Sequence, residues 1–132
     1  AGEAYTSESD FDSIFYHEAV DILQFDATHS GGIKFCMELA RKAENQHLDS
    51  ALHVWGSAVA IAANAQVALA QPKISILEIP MVELELTDHM WIEKPIIKDG
   101  LWHYSHAPGL GVELSEELMR MYSFRENSGY RL

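Results

Sequence analysis

The sequence predicts an α/β fold in which a short parallel sheet forms part of a barrel, and three observations support this prediction. Apolar segments of strand length alternate with segments of helical pattern over most of the chain, as in parallel strands joined by right-handed crossovers. A polar residue follows each apolar segment. These polar residues recur at the spacing of one strand plus one helix, which favours part of a barrel over a doubly wound sheet.

The first repeat unit follows an N-terminal helix. Residues 7–18 carry apolar side chains at helical spacing after Ser and Asp, which are good helix caps. Residues 22–25 are apolar enough to form a buried strand. Gly31 and Gly32 then permit a tight turn into an amphipathic helix over residues 33–45.

Two further units repeat this order. Residues 51–52 form a brief strand, and the alanine-rich residues 57–70 form a helix that packs on more than one side and ends before Pro72. Residues 74–77 form the third strand. We therefore assign residues 1–94 to a partial barrel that contains the tip of one strand and three further strands with their helices.

The pattern changes after residue 94. Glycine and proline recur between residues 95 and 111, which is typical of hairpins and loops, and residues 116–122 could form a last short helix. We assign residues 95–132 to a C-terminal segment that covers the barrel rather than to another repeat unit.

Composition limits the function. The chain of 132 residues has 20 acidic and 9 basic residues and a formal charge of -11, so nucleic acid and anionic membranes would be repelled. The longest apolar stretch, residues 58–70, contains Asn64 and Gln66 and is too short to cross a bilayer. The single cysteine, Cys36, excludes an internal disulfide and favours a reducing, cytoplasmic setting. Small ligands and metal cations remain as partners.

The polar residues at the predicted strand tips are Glu3, Asp26, His53 and Glu78, and the intervals between them are 23, 27 and 25 residues. Each has a structural interpretation when taken singly: a turn former, a half-buried histidine or a solvated carboxylate. Their regular spacing instead favours four side chains at one end of a sheet, which in a barrel is the end that carries the active site.

Several segments together are similar to a known family. They are AGE at residues 1–3, DILQFDATHSGG at 21–32, HVWGSAVAIAA at 53–63, LE at 77–78 and PGLGVEL at 108–114. In order and spacing they resemble the C-terminal part of the mandelate racemase subgroup of the enolase superfamily, the mandelate racemase and muconate lactonizing enzyme family. The resemblance implies the C-terminal part of a (β/α)7β TIM-like barrel.

The resemblance also implies a site. Enzymes of this family bind Mg²⁺ through three acidic residues on consecutive strands and remove the proton next to a substrate carboxylate. By this resemblance Glu3 is the last metal ligand, Asp26 and His53 are the catalytic dyad, and Glu78 is an acid near the substrate carboxylate or enolate. The residue types suit this chemistry, since a hard cation neutralises developing charge and a histidine exchanges protons near neutral pH.

The family's lysine motif, its first two metal ligands, its earlier strands and its capping domain have no counterpart in this chain. We therefore expect the remaining N-terminal part of the enzyme as a partner, an inactive chain by itself and a homo-oligomer when complete. The predicted function is that of an acid-sugar or related hydroxy-acid dehydratase acting on a small carboxylate substrate. The alternatives are a racemase or epimerase of a 2-hydroxy or amino acid derivative, and a non-catalytic α/β fragment.

Overall fold

A three-stranded parallel sheet lies at the centre of the fold. The computed structural model describes residues 1–104 and 106–126. In chain order its elements are α1 (Glu8–Tyr16), β1 (Ile22–Phe25), α2 (Gly32–Asn45), β2 (Asp49–Leu52), α3 (Ala58–Ala70), β3 (Ile74–Leu77), α4 (Glu85–Asp88), β4 (Ile96–Lys98), β5 (Leu101–His103) and α5 (Glu116–Met121).

The sheet brings the ends of its strands to one edge. Its order is β1-β2-β3 with every pair parallel, and Phe25 lies opposite Leu52, which lies opposite Leu77. The ladder continues one residue further, because the amide of His53 donates to Phe25 O and the amide of Glu78 donates to Leu52 O, both at 3.0 Å. The residues that follow the three strands are therefore neighbours.

Among residues 1–104 and 106–126, helices cover one face of the sheet and leave the other bare. Leu23, Phe25 and Leu52 are fully buried in a core that includes α2 and α3. On the opposite face, Ile22 is 46% and Ile76 is 55% exposed. Sequential strands with both crossover helices on one face are the arrangement of a barrel wall, whereas a doubly wound sheet has helices on both faces. The predicted fold class is confirmed.

The backbone of the first residues pairs with β1 as a neighbouring strand would. The amide of Gln24 donates to Ala1 O at 2.9 Å, and the amino group of Ala1 approaches Ile22 O at 3.4 Å. These bonds follow the parallel pattern, although residues 1–3 form no assigned strand. Glu3 thus follows a segment that pairs with β1 as a strand would, as the spacing of the four polar residues predicts.

The C-terminal part packs on α3. Strands β4 and β5 form the predicted antiparallel hairpin, and Trp102 contacts the cluster of Val54, Ala60 and Ile61. Leu118 of α5 packs near Ala58. Residues 105 and 127–132 of the predicted C-terminal segment lie outside the described residues, and the division of the chain at residue 94 stays a prediction.

The predicted strands and long helices are present with small shifts. Strand β2 begins at Asp49, two residues before the predicted start, because its first residues pair with Ile22 and Leu23. Helix α4 and the bridge between Trp91 and Val112 were not predicted. Four helical residues are too few to show a period of 3.6 residues.

No helix in the described ranges combines the length and the apolar composition that a membrane span requires.

The uncovered face leads to a prediction about residues 1–132 expressed by themselves. Ile22 and Ile76 are exposed on that face, and in the described residues β3 pairs only on its β2 side. Open strand edges and bare apolar faces associate. We expect aggregates or oligomers in sedimentation, whereas a monodisperse monomer with cooperative calorimetric melting would contradict the partial barrel.

Candidate active site

Asp26 is a buried carboxylate at the tip of β1. It is 3% exposed. Its Oδ1 accepts three hydrogen bonds, from Asn64 Nδ2 at 2.8 Å, from the Thr28 amide at 2.8 Å and from Thr28 Oγ1 at 2.7 Å. Its Oδ2 lies 3.0 Å from His53 Nδ1. The two oxygens therefore have different partners: Oδ1 is bound by donors of the scaffold, and Oδ2 contacts the histidine.

These contacts keep Asp26 ionised. Burial raises the pKa of the carboxyl, but hydrogen bonds from Asn64, Thr28 and His53 outweigh burial, so the pKa lies below its ordinary value. Hydrogen bonds to the charged form of a carboxylate favour that form. Asp26 is thus an anion at neutral pH in spite of its burial.

His53 is held in one ring orientation. Its side chain is 30% exposed, while the carboxylate partner is almost fully enclosed. Because an ionised carboxylate only accepts hydrogen bonds, the proton of this bond belongs to Nδ1 of the histidine. The neutral ring is therefore protonated on Nδ1, and Nε2 is the nitrogen that can accept a proton. Asp26 and His53, which the resemblance pairs as a dyad, are thus joined by a hydrogen bond.

Glu78 lies at the tip of β3 and contacts a residue of β1. Gln24 Nε2 donates to Glu78 Oε1 at 2.6 Å. Between them lies β2, where Ala51 stands opposite both Gln24 and Ile76 in the sheet register. A small side chain at this position leaves room for the glutamine to reach across. Glu78 is thus joined to β1 at the edge of the sheet that also carries the dyad.

Glu3 supplies an ionised oxygen donor near His53. The hydrogen bond from its own backbone amide is the main cause that lowers the pKa of Glu3, and the nearby His53 contributes to the lowering. Hard cations such as Mg²⁺ prefer carboxylate oxygens. In the part of the chain that the structure describes, no three candidate donors cluster. The ionised carboxylate of Glu3 by itself suits the chemistry of one magnesium ligand.

Gly2 controls the placement of Glu3. It is buried with φ of +129°, and a Cβ there would lie 2.6 Å from Gln24 O. We expect Gly2→Ala to push residues 1–3 away from β1 and to weaken both stability and Mg²⁺ binding in the complete enzyme, with backbone strain alone costing about 1–3 kcal/mol. Chemical unfolding and calorimetric Mg²⁺ titration measure the two effects.

Gly32→Ala is the matched control for this substitution. Gly32 also has positive φ, +90°, but a Cβ there would meet nothing within 4 Å. It should lose stability through strain and keep its Mg²⁺ affinity. Equal Mg²⁺ affinities in the two variants would contradict the role given to the Gly2 contact.

Comparison with known proteins agrees with this geometry. Residues 1–118 match the model of a family described as enolase C-terminal domain-like. The chain belongs to this enolase family. The resemblance to the mandelate racemase subgroup is confirmed, since a mandelate racemase/muconate lactonizing enzyme from Sulfitobacter sp. superposes with a TM-score of 0.82 at 29% identity, over 96% of this chain and 31% of that one.

Curated relatives of this enolase-family chain are named as dehydratases. A D-galactonate dehydratase family member from Oceanicola granulosus is 27% identical over 96% of the chain and 32% of the relative. A D-mannonate dehydratase from Sphingomonas sp. is 27% identical over 94% of the chain and 31% of the relative. The chain thus spans about a third of the length of these curated relatives.

The structure brings Asp26 and His53 together, joins Glu78 to Gln24 of β1, and places Glu3 close enough to His53 for the histidine to lower the pKa of Glu3. Asn64 and Gln24 of this enolase-family chain were not predicted from the sequence as partners of these residues. The sequence did indicate a hydrogen-bonding role for Asn64, because an amide within a helix that packs on several sides must find hydrogen-bond partners. The sequence did not indicate the contact of Gln24 with Glu78, since that contact depends on the register of three strands.

Proposed function

We propose that this chain is the C-terminal part of a Mg²⁺-dependent enzyme that removes the proton next to a carboxylate, and that the complete enzyme is an acid-sugar dehydratase. The observation that carries the proposal is the bond between a buried, ionised Asp26 and His53 at the carboxyl edge of a barrel wall. The dehydratase names of the relatives support the substrate class.

His53 is proposed as the proton-transfer residue and Asp26 as its orienting partner. In a dehydration a base, which the N-terminal part of the enzyme would supply, takes the C2 proton. The C3–O bond breaks, a C2–C3 double bond forms, and the 3-hydroxyl leaves as water after it receives a proton. The enol that results then tautomerises to the 2-keto-3-deoxy acid. The protonated histidine can supply the proton to the leaving hydroxyl near neutral pH, while the fixed anion beside Nδ1 stabilises the charged ring.

Glu78 is proposed to contact the oxygens of the substrate carboxylate. Its bond to Gln24 sets its position at the sheet edge that also carries the dyad. In the protonated form, Glu78 would donate a hydrogen bond to a substrate oxygen, where negative charge develops as the α-proton leaves.

Glu3 is proposed as one magnesium ligand, and the remaining N-terminal part of the enzyme as the source of the others. A bound Mg²⁺ would neutralise negative charge on the substrate carboxylate. Glu3 suits this role because its carboxylate is ionised and accessible. We further propose that the complete enzyme is a cytoplasmic homo-oligomer, in keeping with the single buried cysteine and with exposed apolar side chains such as Met81 and Phe124.

A racemase or epimerase is the second candidate, because the Sulfitobacter neighbour is named as mandelate racemase/muconate lactonizing enzyme. The complete enzyme with Mg²⁺, incubated with D-galactonate and D-mannonate in D₂O, separates the two by NMR. A dehydratase forms a 2-keto-3-deoxy acid. A racemase or epimerase returns a 2-hydroxy acid with inverted C2 and deuterium at that carbon. The proposal would be contradicted if neither of these products formed from any acid sugar or hydroxy acid tested.

A further inference from the structure

Asn64 is a fully buried amide in an apolar helix. It is 0% exposed, and the residues around it in α3 are mostly buried alanine, isoleucine and valine. Burying an amide is costly unless its donors and acceptor are hydrogen-bonded. The helix therefore carries a polar group that packing alone does not require.

The orientation of this amide is fixed by its neighbours. Asn64 Oδ1 accepts from the Ala27 amide at 2.8 Å, and a backbone N–H can only donate. The other end of the amide is therefore Nδ2, which donates to Asp26 Oδ1 at 2.8 Å and to Ala60 O at 3.1 Å. Both donor hydrogens and the acceptor are thus used.

These bonds join α3 to the tip of β1. One side chain holds both the backbone of Ala27 and the carboxylate of Asp26, so the loop after the strand cannot move without breaking two buried bonds. Since Oδ1 of Asp26 is held by Asn64 and Thr28, Oδ2 is the oxygen that meets His53.

We propose that Asn64 is a positioning residue for the Asp26–His53 pair: it holds the Asp26 carboxylate in the orientation in which Oδ2 accepts a hydrogen bond from Nδ1 of His53. The importance of this pair for turnover rests on the proposed function. The control of the histidine tautomer by Asn64 does not, because it follows from the hydrogen bonds alone.

The test compares Asn64→Thr with the parent in the complete enzyme. The threonine hydroxyl can still bond to the carbonyl of Ala60, four residues earlier in the helix, but the side chain is one atom shorter and reaches neither Asp26 Oδ1 nor the Ala27 amide. At a pH where the ring is neutral, ¹⁵N NMR of His53 should show almost only the Nδ1-protonated tautomer in the parent and a mixture in the variant. We expect kcat to fall on the order of 10-fold or more, since a histidine in the wrong tautomer is a poor catalyst, and KM to change little.

Two further variants separate positioning from packing. Asn64→Leu removes all the bonds and should show the same tautomer change if it folds, whereas Gln66→Leu makes the same exchange on a partly exposed position of α3 and should behave as the parent. A folded Asn64→Thr enzyme with the parent tautomer and kcat would overturn the proposal, even if Asn64→Leu fails to fold. A changed tautomer with unchanged kcat would support the positioning of His53 and overturn the proposed catalytic role of the pair.

Discussion

His53→Asn in the complete enzyme is expected to lower kcat for acid-sugar dehydration on the order of 10²-fold or more. The reason is that asparagine cannot transfer a proton near neutral pH, and loss of a general acid or base has an effect of about this size. Substrate KM should change less, because the carboxylate contacts and the metal remain. Steady-state kinetics at saturating Mg²⁺ measures both constants.

The double variant tests whether the two residues act as one unit. In the proposed mechanism, Asp26 acts through the bond of its Oδ2 to His53 Nδ1. Adding Asp26→Asn to His53→Asn should therefore reduce kcat little further, since groups that act together have non-additive effects. Asp12→Asn is a suitable control, because this exposed aspartate of α1 pairs with Lys42 far from the strand tips. Fully multiplicative losses in the double variant would contradict the dyad.

Glu3→Gln is expected to raise the Kd for Mg²⁺ by at least about 10- to 100-fold in the complete enzyme. Removing a hydrogen-bond partner of a metal ligand already weakens metal binding by about this factor. Glu3→Gln changes the ligand itself, from a charged carboxylate to a neutral amide. Calorimetric titration measures the change, and activity should recover in part at high Mg²⁺ concentration.

Glu8→Gln controls for the loss of charge. Glu8 is an exposed acid at the start of α1, five residues along the chain from Glu3. It should leave Mg²⁺ affinity unchanged. Parent affinity in Glu3→Gln would contradict the role of Glu3, and so would tight Mg²⁺ binding by residues 1–132 alone, because one carboxylate cannot replace several waters of a hydrated Mg²⁺.

Local sequence patterns were enough to predict the central elements. Strands β1 and β3 have the predicted bounds because each is a short apolar run with a clear end, and α2 has a distinct apolar face. Parallel strands bring their carboxyl ends together, so Asp26 and His53 could be predicted to lie at one end of the sheet. Periodicity and strand order thus predicted the fold class and this shared edge, whereas the pairing of Asp26 with His53 came from the family resemblance.

Long-range partners could not be predicted in the same way. Asn64 contacts Asp26 over 38 residues and Gln24 contacts Glu78 over 54 residues, and both contacts depend on the packing of α3 and the register of β1, β2 and β3. Nothing in the local pattern around Gln24 distinguishes it from a solvated strand residue. Such contacts become visible only when the strands and helices have been assembled.

The most direct test of the account measures α-proton exchange and elimination together in the His53→Asn enzyme with Mg²⁺ bound. In D₂O, a dehydratase that uses His53 as the acid for the leaving hydroxyl should still exchange the substrate α-proton, because another group removes it, while water elimination falls on the order of 10²-fold or more. Full elimination by this variant, with the metal bound, would show that His53 is a packing residue and would contradict the assignment of Glu3, Asp26, His53 and Glu78 to an active-site rim.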